Sequence, residues 1–100
     1  MYQYNLIIKR GSLDEQAAHA MVNQQLTRRF GPDVHYITTA ILDNEVVVIV
    51  ANESKRNLQG TLGDWFVEDE HDESGQWPVG SLLHYREVLL DEPIYNKLGG

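Results

Sequence analysis

The sequence predicts an α+β domain: a four-stranded antiparallel sheet, one long helix over 13–30 and a short second helix, in the order β-α-β-β-(α)-β. Three observations carry this reading. A run of alternating apolar residues opens the chain, a helix with both ends marked follows it, and two further strand-like runs are joined by a tight polar turn.

The first strand rests on period two. Tyr2, Tyr4, Leu6 and Ile8 alternate with Gln3, Asn5, Ile7 and Lys9, so one face is expected to be buried. Lys9-Arg10-Gly11 ends the run. Ser12-Leu13-Asp14-Glu15 then has the spacing of a capping box, in which Ser12 and Glu15 satisfy each other's backbone N–H groups. Arg28 and Arg29 suit the negative end of a helix dipole, Gly31 suits a left-handed terminal residue, and Pro32 forbids continuation. Between these limits, Leu13-Ala17-Met21 and Ala18-Val22-Leu26-Phe30 form a broad apolar stripe.

Val34 to Leu42 and Val46 to Ala51 read as the next two strands, with Asp43-Asn44-Glu45 as the turn. Val46 to Val50 is apolar at every position, which places it centrally and predicts burial on both faces. Leu58, Leu62, Trp65 and Phe66 have helical spacing. Gly60 and Gly63 each cost about 1 kcal/mol in a helix interior, so the expected helix is short and irregular. An acidic loop over 68–76, a Trp77-Pro78-Val79-Gly80 turn, a last strand from Ser81 to Leu90 and a tail over 91–100, expected to fray, complete the chain. No repeat or linker divides it, so 1–100 reads as one domain. The element order resembles a ferredoxin-like or related split βαβ arrangement, a fold that hosts enzymes, sensors and interaction modules alike.

Composition narrows the functional classes. Net charge is −7: residues 1–30 contribute +2, residues 31–60 contribute −2 and residues 61–100 contribute −7. Such a surface repels phosphate backbones, so general nucleic-acid binding is not expected, and a partner protein with a basic surface is. There is no cysteine, hence no disulfide or thiolate chemistry. Met1-Tyr2-Gln3-Tyr4-Asn5 does not read as a signal peptide, and Val46 to Ala51 is far too short to span a bilayer; the expectation is a cytoplasmic protein with no membrane association.

Motifs for chemistry are weak. His19, His35, His71 and His84 lack the close spacing of a metal site built on one helix, and no catalytic site, metal or cofactor is expected. His84-Tyr85-Arg86-Glu87 reads as a strand with a polar, solvent-facing row. Gly60-Thr61-Leu62-Gly63 has the spacing of a backbone-clamping G-x-x-G loop, but Asp64 and the net charge argue against that use. The acidic run Glu68-Asp69-Glu70-His71-Asp72-Glu73 is the most distinctive feature. It does not fit a calcium loop, and five carboxylates in six residues repel one another, which favours a solvated segment. Trp65 and Trp77 border it, and aromatic anchors rimmed by charge are typical of protein interfaces. The candidate partner-binding residues are therefore Trp65, Glu68, Asp69, Glu70, Asp72, Glu73 and Trp77.

The expected function is that of a small, acidic, non-enzymatic interaction protein. It would bind and inhibit or regulate another protein, in the manner of inhibitors, immunity proteins and phage-encoded antagonists. The alternative is a small ligand-binding or enzymatic domain of the dimeric α+β barrel type, a reading that admits a homodimer. A cavity with a buried His or Arg would favour the alternative; a filled core beside an exposed aromatic and acidic patch would favour the first.

Overall fold

The computed structural model describes residues 2–69 and 77–88. Its elements are β1 (Tyr2–Lys9), α1 (Glu15–Phe30), β2 (His35–Ile41), β3 (Glu45–Asn52), α2 (Lys55–Asp69) and β4 (Leu82–Val88). The strands form one sheet in the order β2-β3-β1-β4, with every neighbouring pair antiparallel. The molecule is thus a small α+β fold with a four-stranded antiparallel sheet and two helices.

Period two in β1 becomes burial. Tyr4, Leu6 and Ile8 are buried, and register sets them beside Val50, Val48 and Val46 of β3. Ala18, Val22 and Leu26 of α1 and Leu58, Leu62 and Trp65 of α2 join the same cluster, so both helices pack on one face. The core lies between that face and the helices.

Several expectations need correction. β3 is central, as its composition predicted, but only Val46, Val48 and Val50 are buried; Val47, Ile49 and Ala51 are half-buried on the face away from the helices. The unbroken apolar run therefore reflects one buried face and one partly covered one. The start of α1 is not a Ser12–Glu15 capping box. Asp14 is the N-cap, and its Oδ1 accepts from the Ala17 N–H at 2.7 Å. At the other end, the Gly31 N–H donates to the Thr27 carbonyl at 2.9 Å, with φ at 101°, a backbone region that glycine tolerates and L side chains avoid.

The second helix is neither short nor irregular: it runs 15 residues. Ser54 begins it, its hydroxyl accepting from the Asn57 N–H at 3.2 Å. Burial of Leu58, Leu62 and Trp65 outweighs the propensity cost of Gly60 and Gly63, as tertiary packing commonly does for amphipathic helices. Glu68 and Asp69 therefore end a helix instead of opening a loop. The rest of the expected acidic loop over 70–76, the residues Leu89 and Leu90 and the tail over 91–100 lie outside the described residues.

Candidate functional site

The region around the C-terminal end of α2 gathers the sequence-predicted residues that the structure describes. Trp65 and Phe66 follow Leu62 at three and four residues, so both turn inward, while Val67 and Glu68 point outward. Trp65 is fully buried and belongs to the core, which corrects its expected place at a partner-facing surface. Among the described residues its indole N–H has no acceptor, an unfavourable feature for a buried donor.

What Trp65 does is support a charge. The Arg29 guanidinium lies 4.6 Å from the centroid of its ring. From there Arg29 donates to Glu68 Oε2 at 3.0 Å and to Gln25 Oε1 at 3.3 Å. The Arg29 side chain is only 10% exposed while Glu68 is 60% exposed, so a sheltered cation holds an outward-facing carboxylate. Hydrogen bonding and charge from Arg29, with Arg28 at 4.0 Å, hold the Glu68 carboxyl below the usual glutamate range. This pinning matters because α2 has no basic residue in its last turn, and acidic side chains there oppose the helix dipole.

Trp77 is partly exposed. Its ring packs 6.0 Å from that of Phe66, which meets Tyr85 edge-on at 5.9 Å; Tyr85 in turn lies 6.2 Å from Tyr4. An aromatic line thus runs from the core to Trp77. Val67, beside Glu68 in the chain, is 52% exposed, one of five large apolar side chains that stand out among the described residues. Backbone placement puts Asp69 at the helix terminus, and Glu70, Asp72 and Glu73 lie outside the described residues.

The other sequence candidates do not converge. His19, His35 and His84 are exposed on three different elements, and among the described residues no group of His, Asp and Glu side chains could hold a metal ion. His84 and Arg86 form the expected exposed row on β4, whereas Glu87 turns back to accept from Lys55 at 3.0 Å, which raises the lysine above its ordinary value. Gly60 to Gly63 sits inside α2 and not in a loop, so it offers no clamp for a phosphate backbone. Among the described residues no helix is long and apolar enough to cross a membrane.

Two participants escaped sequence reasoning. Arg29 read only as a helix-end cation, because its partner Glu68 is 39 residues away with no local signal to link them. Val67 was hidden by its place next to Phe66, and only the phase of α2 turns it outward. Compared with protein-family models, with curated proteins and with solved structures, the chain matches none of them.

Proposed function

We propose that this chain is a non-enzymatic interaction protein that binds, and thereby inhibits or regulates, another protein bearing a basic surface. The docking surface is the acidic end of α2 and the residues that follow it. The observation that carries the reading is the exposure of Val67 and Glu68 on the last turn of α2, whose Phe66 packs against the partly exposed Trp77. Such a set combines an exposed apolar side chain, a pinned carboxylate and an aromatic backed by Phe66. Aromatic anchors set in a polar rim are the usual anatomy of an interface. Trp65 contributes from beneath by holding Arg29, and Asp69, Glu70, Asp72 and Glu73 extend the negative charge.

The space between helices and sheet supports this reading over a ligand-binding or enzymatic one. It is occupied by Leu6, Val48, Leu26, Leu58, Leu62 and Trp65, the described histidines all lie outside it, and the sheltered Arg29 is taken up by Trp65, Gln25 and Glu68. The fold is taken as ferredoxin-like or a close relation; the element order β-α-β-β-α-β supports that, and a cytoplasmic setting suits a cysteine-free acidic chain.

The test starts with affinity capture from the native host and identification of the partner by mass spectrometry. Association and dissociation are then measured for two variants. Neutralising Asp69, Glu70, Asp72 and Glu73 to Asn or Gln should slow association and flatten its salt dependence, because rim charges act on encounter. Trp77→Ala should speed dissociation by about tenfold. A partner that binds both variants at wild-type rates, at low and high salt, would remove this surface from consideration.

A further inference from the structure

A different surface carries a second docking feature. β2 is an edge strand, and its sequence His35-Tyr36-Ile37-Thr38-Thr39-Ala40-Ile41 is rich in strand formers, with no Lys, Arg, Asp, Glu or Pro. Natural edges are normally blunted by such residues, because an unpaired row of N–H and C=O groups recruits other strands. The opposite edge, β4, carries Arg86 and Glu87. Among the described residues the one blunting device of β2 is a bulge: the register with β3 shifts between Thr38 and Ala40, and the Thr39 hydroxyl donates to the Val47 carbonyl at 3.1 Å. The bulge interrupts the ladder after Thr38, whereas from His35 to Thr38 the pairing with β3 keeps one register.

Beside this stretch a hollow of about 360 Å³ lies on the sheet face away from the helices, where Gln3, Ala51 and His35 stand in one row across β1, β3 and β2. Ile37, Ile49 and Ala51 supply an apolar floor, Ile37 being 60% exposed, and Gln3 and His35 flank it. Around His35 lies a second hollow of about 230 Å³, where Asp33 and Glu53 stand. Neither carboxylate has an ion-pair partner among the described residues.

We propose that the His35–Thr38 edge accepts an extended basic peptide of a partner protein as an added strand. Its main chain pairs with β2, an apolar side chain packs beside Ile37 on the open face, and a Lys or Arg reaches Asp33 and Glu53. Strand addition of this kind takes affinity from backbone hydrogen bonds and selectivity from alternate side chains. Charge decides the occupant: a second copy would bring another chain of net charge −7 against two free carboxylates, whereas a basic segment neutralises them. This surface is separate from the end of α2, so either docking feature stands without the other.

The probe is a fluorescein-labelled peptide of alternating lysine and valine, titrated into the full chain by anisotropy and mapped by amide chemical shifts. The proposal expects binding, with shifts centred on His35 to Thr38. Asp33→Asn combined with Glu53→Gln should weaken it roughly fivefold, on the scale of two exposed ion pairs. Neutralising Asp43 and Asp64 instead, an equal change in net charge, should leave it unchanged. A peptide N-methylated at alternate positions, with identical charge, should lose at least about tenfold, because backbone hydrogen bonds supply the affinity. The proposal is overturned by absence of binding, by equal affinity for the N-methylated peptide or for a glutamate-valine peptide, or by shifts centred on α2. Concentration-dependent dimerisation through β2, seen by sedimentation, would overturn it equally by assigning the edge to a second copy.

Discussion

The guanidinium carbon of Arg29 sits 4.6 Å from the ring centroid of Trp65, and the same side chain reaches Glu68 at 3.0 Å. Through this pair the last turn of α1 grips the last turn of α2. Arg29→Ala should lower stability by about 1–2 kcal/mol, the scale of a sheltered cation–π contact plus packing of the arginine stem. Arg29→Lys should recover only part of it, because an ammonium lacks the planar face that stacks on an indole. Urea midpoints of the three proteins check this.

Glu68 adds a pH dependence. Its folded value lies below the ordinary one, so the carboxylate's contribution is complete above about pH 4.3 and is lost as pH falls through the folded value. Wild-type protein should therefore be more stable than Glu68→Gln at neutral pH, and the two should converge at acid pH. Denaturation at a series of pH values reads the difference; a gap that widens on acidification would contradict the pairing.

The N-terminus of α1 distinguishes two capping residues. Asp14→Ala should cost about 1 kcal/mol, since it removes the acceptor for the Ala17 N–H. Ser12→Ala should change stability by only a few tenths of that figure, typical of an exposed surface position. Equal effects in thermal or urea unfolding would restore the capping box.

The two faces of β3 should respond differently to the same chemistry. Val48→Asp puts an unpaired charge between sheet and helices and should abolish cooperative folding. Ile49→Thr, on the half-buried face, should leave a folded protein with a modest loss. Circular dichroism and soluble yield separate these outcomes.

Gly60 is an opportunity for stabilisation. A methyl group there would meet nothing within 4 Å, and the backbone is already helical. Gly60→Ala should raise stability by up to about 1 kcal/mol through propensity and a less flexible unfolded chain. Gly11→Ala should do the opposite, because its added carbon would stand 2.6 Å from Val79 Cγ2 at a φ of 61°. Melting temperatures moving in the same direction would refute the contrast.

The sequence by itself determined the class of fold, the order of its elements, the alternation in β1 and the inward stripe of α1. Each of these is a local periodicity, written in residues that are neighbours along the chain. Tertiary structure decided the rest. The length of α2 came from burial of Leu58, Leu62 and Trp65, a long-range gain that outweighs two unfavourable glycines. The inward place of Trp65 and the outward place of Val67 and Glu68 came from the phase in which that helix meets the sheet. The uneven cover of β3 came from both helices packing on one face. The union of Arg29 with Trp65 and Glu68 came from two helix ends brought together across 39 residues of chain. Pattern reports which residues avoid water; it does not report which distant residue each will meet, because that follows from how whole elements pack.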